Sequence, residues 1–347
     1  MEEAKKLKLG IVGVTGYGGA ELVRILLNHP SFQLSFGTST REAGKKIHEI
    51  HPNLLGRSDL EISDHPVGDE SIWDELDGVF LAMPHGQSMN LVPKLPSHLK
   101  VVDLAGDYRI KDYDVFTKHY GKDHPDFERQ ASFAYGLTEI NRHEVTKSRL
   151  VANPGCFATA VQLALLPLVK SGLLEDFVVV DAKTGSSGSG AVPRSTTHHP
   201  FRSSAFYAYK LLAHQHLPEI EQSLKGAGFS GETLFQVHSA PMTRGIFASH
   251  YAKVKRDVSI EELTYIYENF YEGSPFIRLR KGSPNVSWVA HTNFVDIGFG
   301  ISGRNVAVFS AIDNLVKGAA GQAVQNMNLM MGFNEELGLN QIGGHPT

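Results

Sequence analysis

The chain opens with an apolar run, Leu7 to Val14, that leads straight into a glycine-rich turn and then a helical pattern from Ala20 to Leu27. Apolar segments of strand length recur at Gln33–Phe36, Gly78–Ala82 and Lys100–Leu104, each closed by a loop of small or polar residues. Strands spaced this way predict a parallel sheet with ligand loops at its carboxyl ends. Between Thr159 and Lys170 the pattern changes. Val161, Leu163, Ala164, Leu165, Leu166, Leu168 and Val169 crowd into twelve positions, which predicts a tightly packed helix. Beyond it, Phe177–Asp181, Leu234–Ser239, Gly245–Val254, Thr292–Phe299 and Val306–Ala311 read as strands joined by turns, a pattern that suits an antiparallel or mixed sheet. Pro218 starts a helix that runs towards Gly226. A last helix runs towards Met331, with Val316, Ala320, Ala323, Val324 and Met327 on one face. The fold class is α/β: a Rossmann-type nucleotide-binding domain over residues 1–152, and an α+β catalytic domain with a mixed or antiparallel sheet over 153–317. The segment 318–347 is expected to pack back on the first domain.

Composition narrows this only a little. The 347 residues are 41% hydrophobic and 20% charged, ordinary for a globular protein, and the formal net charge is −4. No long run of one sign points to nucleic acid, and no apolar run is long enough to span a bilayer. The single cysteine excludes an internal disulfide, and with no signal-peptide pattern at the start the expected compartment is the cytoplasm.

Chemistry enters at the glycine turn. Gly13, Gly16 and Gly19 are spaced by threes, and Thr15, Tyr17 and Gly18 lie between them, a variant of the fingerprint that brings a pyrophosphate to a helix start. An NAD site usually places an acidic residue near the end of the second strand, but none occurs from Leu22 to Thr40. Ser39, Thr40 and Arg41 offer hydroxyls and a guanidinium, which favour a 2′-phosphate and hence NADP. Met83-Pro84-His85-Gly86 and Ala105-Gly106-Asp107-Tyr108-Arg109 are further loops at strand ends.

The nucleophile candidate is Cys156, in Asn153-Pro154-Gly155-Cys156-Phe157-Ala158-Thr159. A thiol at a helix start meets unpaired N–H groups and the positive dipole end, and both favour the thiolate. After the strand Phe177–Asp181 comes Lys183-Thr184-Gly185-Ser186-Ser187-Gly188-Ser189-Gly190, whose backbone N–H groups can serve a phosphate or a ribose. His214 and His216 lie just before Pro218, and an imidazole there can exchange a proton with the thiol. Neither HExxH nor paired cysteines occur, so no metal is expected. Arg244 is a candidate for an anionic substrate.

Four stretches together resemble the N-acetyl-gamma-glutamyl-phosphate reductase family, the NADP-dependent, semialdehyde-forming enzymes of arginine biosynthesis. They are the cysteine motif, the glycine turn, His214-Gln215-His216-Leu217-Pro218-Glu219 and Asp313-Asn314-Leu315-Val316-Lys317-Gly318. The likeness runs in order from Lys8 to Leu339. It implies Cys156 as nucleophile, with His214 as general acid/base and His216 the second choice. It implies NADPH on the glycine turn, Ser39 and Arg41, with Pro84, Ser187, Gly188, Gly190 and Asn314 lining the pocket. Asn153, Arg109 and Arg244 become substrate candidates. Ala191 stands where the family often has arginine, so Arg194 and Arg202 join them. The implied substrate is a small acyl phosphate, and the implied assembly is a homo-oligomer, dimer or tetramer. A carrier-linked aminoadipyl, N-succinylglutamyl or aspartyl phosphate is the alternative substrate. A cysteine acyltransferase or an NADP-binding regulator is the alternative outside the oxidoreductases.

Overall fold

The computed structural model describes residues 6–64 and 71–344, so the outermost residues of the expected domains and residues 65–70 lie outside it. Six parallel strands form one sheet: β1 (Leu7–Val12), β2 (Phe32–Thr38), β3 (Gly78–Leu81), β4 (Lys100–Asp103), β5 (Phe133–Tyr135) and β6 (Leu150–Ala152). Their order is β2-β1-β3-β4-β6-β5, a doubly wound arrangement. Val79, Phe80, Leu81, Val101, Val102 and Val151 are all fully buried, which is why these strands read as continuous apolar runs without alternation. β1 stops at Val12 because Gly13 has φ +95, which turns the chain out of the sheet. β5 and β6 are three residues each, too short to show a period, and went unpredicted.

These strands belong to a unit made of residues 1–154 and 319–340. The helix Gly321–Met330 packs there against β4, the helix Tyr17–Leu26 and the helix Thr138–Lys147. It is bound by polar side chains as well as by its small residues. Asn326 Nδ2 donates to Gly136 O and Asn153 Oδ1, and Gln322 Nε2 donates to Thr138 Oγ1.

The second unit holds residues 155–318 and 341–347. Its seven strands are β7 (Leu174–Thr184), β8 (Tyr207–Tyr209), β9 (Glu232–Ser239), β10 (Ile246–Val254), β11 (Ile277–Arg280), β12 (Val295–Ser302) and β13 (Asn305–Ile312). They lie in the order β11-β12-β13-β10-β7-β9-β8, antiparallel except for β11 with β12 and β7 with β9. The sheet is therefore mixed. β8 and β11 were unpredicted, since each is an edge strand of three or four residues, too short to show a period.

One face of this sheet carries the helix Cys156–Lys170, in which every residue from Phe157 to Val169 is buried. The helix starts three residues earlier than its apolar pattern predicted, at the cysteine itself. Pro167 lies inside it and cannot donate to the carbonyl four residues back. Tyr271 Oη donates to that carbonyl, Leu163 O, and Tyr267 Oη donates to Ala164 O, so neither oxygen is left bare in the core.

Candidate active site

In the first unit the glycine turn divides its glycines between two tasks. A Cβ on Gly13 would stand 2.6 Å from Ala82 O, and one on Gly19 would stand 2.3 Å from Gly13 O. These two glycines allow the turn and the close packing of helix on strand. A Cβ on Gly16 or Gly18 would meet nothing within 4 Å, so the outer side of the helix start is open. The helix begins at Tyr17 with Gly16 as its cap, no side-chain cap and no acidic residue in the first turn. Amides of Tyr17, Gly18 and Gly19 donate to no described residue. An open helix start with unused donors fits a pyrophosphate.

Beside it, Thr15 Oγ1 and Ser39 Oγ are 3.3 Å apart, and Ser39 Oγ accepts the Arg41 amide at 3.4 Å. Arg41 is exposed and its guanidinium meets no carboxylate among the described residues. His51, which the sequence reading missed, bonds through Nε2 to Val14 O at 2.9 Å and braces the turn. Pro84 is exposed at the end of β3. The loop after it is fixed by the loop after β4: Asp107 accepts the amides of Gly86 and Met89, and His85 Nδ1 accepts the Gly106 amide. Asp107 therefore braces one strand-end loop against the other. Arg109 is itself buried, with Nε on Asn153 O and Nη2 on Leu104 O. Asn153 donates to Ala319 O and accepts from Asn326, so its side chain secures the strand end.

In the second unit Cys156 occupies the first position of its helix, and it is partly accessible. Gly155 precedes it as cap and Gly318 lies across from it. A Cβ on Gly318 would stand 2.7 Å from Cys156 Cβ, so only glycine fits there. A Cβ on Gly155 would stand 2.4 Å from His216 Nε2. The Nε2 edge of His216 therefore rests on the residue next to the thiol. Glu219, fully buried, accepts the Gly155 amide at 2.8 Å, and its own carbonyl accepts from Gln162 at 3.1 Å. That carboxylate ties the segment bearing His216 to the cysteine turn. Amides of Phe157 and Ala158 donate to no described residue, as the start of a helix permits.

His214 sits differently. Its ring is enclosed by Phe157, Tyr209, His216 and Phe235 at centroid distances of 5.2, 5.9, 4.8 and 5.7 Å. Nδ1 accepts the His216 amide at 3.2 Å, which leaves the proton on Nε2. Burial first, and Lys210 second, push its pKa down to about 3. At neutral pH it is a neutral imidazole of lowered basicity whose one acceptor nitrogen is already engaged, a poor fit to the general acid/base role expected of it.

The serine-glycine loop is no slack linker. Ser186–Ser189 form a 3-10 turn whose amides at Gly185, Ser186, Ser187, Gly188 and Gly190 all donate to protein carbonyls. The expectation that these N–H groups serve a phosphate is corrected, because internal acceptors consume them. Ser187 is bonded to Asn314, whose Oδ1 also accepts the Gly245 amide at 2.6 Å. Gly188 stands beside Asn314 Nδ2, and Gly190 ends the turn with φ +81.

Two arginines are likewise spent internally. Arg202 is buried and donates to the carbonyls of Ala205, Ala240 and Met242. Arg244 pairs with buried Asp313 through two bonds of 3.0 and 3.2 Å. Asp313 also accepts the amides of His291, Leu315 and Val316, and a carboxylate so deeply buried requires a countercharge. Arg194 is exposed, and its guanidinium meets no carboxylate among the described residues. No group of three metal-ligating side chains occurs among the described residues, and no helix there is long and apolar enough to cross a membrane.

A parallel sheet with a glycine turn, followed by a mixed sheet bearing a helix-start cysteine, defines a dehydrogenase of the semialdehyde class. The family models agree: residues 8–148 match the semialdehyde dehydrogenase NAD binding domain, and residues 156–314 match the semialdehyde dehydrogenase dimerisation domain. Aspartate semialdehyde dehydrogenase II from Vibrio cholerae shares the fold, with a TM-score of 0.70 at 16% identity over 94% of this chain and 99% of that one. Among sequences, N-acetyl-gamma-glutamyl-phosphate reductase of Methanocaldococcus jannaschii is 44% identical over 98% of this chain and 99% of its own. The reductase of the same name from Methanosarcina barkeri is 46% identical over 96% of this chain and 98% of its own. The chain belongs to the semialdehyde dehydrogenase family, among the N-acetyl-gamma-glutamyl-phosphate reductases.

Proposed function

We propose that this enzyme reduces N-acetyl-gamma-glutamyl phosphate to N-acetylglutamate 5-semialdehyde with NADPH, through a thioester on Cys156. The observation that carries the reading is the cysteine at a helix start with the Nε2 edge of His216 against the preceding glycine. Gly13, Thr15, Gly16, Tyr17, Gly18 and Gly19 would hold the pyrophosphate, with Ser39 and Arg41 on the 2′-phosphate and Pro84, Ser187, Gly188, Gly190 and Asn314 in supporting positions. When bound, NADPH supplies the hydride.

The residues of the chain do the rest. The thiol proton passes to His216, the sulfur bonds to the acyl carbon, and the carbon–oxygen bond to phosphate breaks with its electron pair on the phosphate. The amides of Phe157 and Ala158 can meet the negative charge that builds on the acyl oxygen, and such a donor is typically worth about 3 kcal/mol. His216 returns its proton to the oxygen of the thiohemiacetal and takes it back as the carbon–sulfur bond breaks and the aldehyde leaves. His216 takes this role over His214 because the latter is enclosed, of lowered basicity through burial and already accepting at Nδ1. Arg194 and Arg109 remain the candidates for phosphate or carboxylate.

A homo-oligomer is the second part of the reading. On the exposed face of the second unit's sheet, Phe177 and Tyr251 are each 46% exposed, and Phe247 and Phe309 stack at 6.0 Å. An apolar strip of this kind suits a second copy, and sedimentation of wild type against Tyr251→Glu tests it.

The test of the activity is a panel of N-acetylglutamate, N-succinylglutamate and aspartate semialdehydes, each with NADP and phosphate. Preference for the N-acetyl compound supports the reading. Turnover of another member alone, or of none, overturns it.

A further inference from the structure

Lys210 and Leu212 have φ of +44 and +51. Among the described residues His291 is the one other non-glycine residue with a positive φ, so two of the three fall in one turn. That turn, 210–213, is closed by the Ala213 amide on Lys210 O at 2.9 Å and leads from the end of β8 directly into His214. Leu212 stands third in it, where a positive φ is normally supplied by glycine or asparagine. Burial does not explain a leucine there, since Leu211 is 70% exposed and Leu212 58%. Strained backbone persists only where its surroundings over-determine it, and it clusters at functional sites.

One side chain of the neighbouring strand holds the turn. Gln236, half-buried on β9, accepts the Leu212 amide at 3.1 Å through Oε1 and donates through Nε2 to Tyr209 O at 3.2 Å. Nε2 also donates to Val237 O at 2.8 Å, which fixes the carboxamide itself. Across the turn Lys210 Nζ donates to Gln215 Oε1. The chain beyond has no slack. His214 Nδ1 accepts the His216 amide, and His214 O accepts the Leu217 amide at 3.0 Å. His216 then meets the cysteine turn at Gly155, where one added methyl group would collide with its ring.

We propose that Gln236 is a positioning residue for the reaction. Its carboxamide holds the turn 210–213 in a conformation that Lys210 and Leu212 disfavour, and the held turn sets where His216 stands against the cysteine turn. The proposal rests on the reductase reading above, in which His216 carries the proton. Gln236 acts only through the backbone of the turn. Without its two bonds Leu212 returns to the regions that a leucine prefers, and the segment after it shifts. A proton carrier displaced by about 1 Å can cost about 10²-fold in rate.

The test is kcat and KM of the full-length protein as wild type, Gln236→Met, Leu212→Asn and the double variant. Methionine keeps the length of the side chain and removes its donor and its acceptor. In Gln236→Met kcat should fall about ten-fold or more with KM within about two-fold. Asparagine takes the left-handed region more readily than leucine, so Leu212→Asn relieves the strain that Gln236 opposes. In that background the loss from Gln236→Met should shrink to about three-fold or less. A glutamine that only ties strand to strand would give a loss that asparagine does not reduce. A kcat within about two-fold of wild type in Gln236→Met overturns the proposal, as does a loss of equal size in both backgrounds. If Gln236→Met melts early, Gln236→Glu gives a second reading, since it keeps an oxygen for the Leu212 amide and loses the donor to Tyr209 O. It should lose kcat with KM little changed, and a wild-type kcat overturns the proposal. Failure of the reductase reading shows separately, as wild-type protein inert towards the acyl phosphate.

Discussion

The two units perform their parts with different material. In the first, function lies in the backbone: Gly13 and Gly19 permit a turn that no side chain could make, and unused amides at Tyr17, Gly18 and Gly19 face outward. In the second, function lies in side chains that backbone and core hold still. Cys156, His216 and Glu219 come from a helix start, a loop and a helix. Glycines serve there too, but in the opposite sense. Gly155 and Gly318 make room for His216 and Cys156, the groups proposed to react, whereas Gly16 and Gly18 leave open the space proposed for the cofactor. A site of amides tolerates substitution of the side chains around it. A site of converging side chains does not.

The largest effect that separates the two histidines should come from His216→Asn, which removes the proton carrier and should lower kcat about 10²- to 10⁴-fold. His214→Asn should cost far less, since its Oδ1 can still accept the His216 amide. Equal losses would end the distinction between them. Gly318→Ala comes next. Its methyl group cannot fit 2.7 Å from Cys156 Cβ, so the thiol must move, and kcat should fall about 10²-fold while NADPH binding by fluorescence stays near wild type. Arg41→Ala tests the first unit. Loss of a guanidinium on phosphate should cut the preference for NADPH over NADH about ten-fold or more, with Cys156 alkylation unchanged. A preference that survives would move the 2′-phosphate elsewhere.

The smallest effect belongs to the core of the first unit. Burial, and then the charge of Asp107, raise the Asp103 carboxyl pKa to about 7. A carboxyl raised in the folded state binds a proton that the unfolded chain has already lost, so it destabilises the fold as pH climbs from the unfolded value towards 7. The substitution Asp103→Asn keeps an oxygen for the bonds from Ser88 and Ala105 without that charge. It should raise the melting temperature by about 2–4 °C at pH 8, and much less in mild acid, where both forms are neutral. The same gain at both pH values would refute this account of Asp103.

How much of this was legible in the sequence follows the same division. The long strands, the glycine turn and the cysteine helix were readable because each repeats one physical demand over many positions. β5, β6, β8 and β11 were not, since three or four residues hold no period. The proposed nucleophile was legible from the turn before it. The proposed acid/base was not, because His214 and His216 differ only in what encloses them, and two of the enclosing groups, Phe157 and Phe235, are distant in the chain. Arg202 and Arg244 read as anion sites until the carbonyls and the carboxylate they serve came into view. Glu219 was visible as part of a motif, but its bond to the Gly155 amide was not. A charged residue in a sequence announces a need for a partner, not which partner will meet it.

The central claim is a covalent one, that acyl transfer to Cys156 precedes reduction. Intact-mass spectrometry after mixing the enzyme with N-acetyl-gamma-glutamyl phosphate, with no NADPH present, tests it directly. The account predicts one N-acetylglutamyl adduct per chain, mapped to the Cys156 peptide, absent from Cys156→Ala and discharged as semialdehyde when NADPH is added. Unmodified wild-type protein that nonetheless turns over, or an adduct that persists in Cys156→Ala, would contradict it.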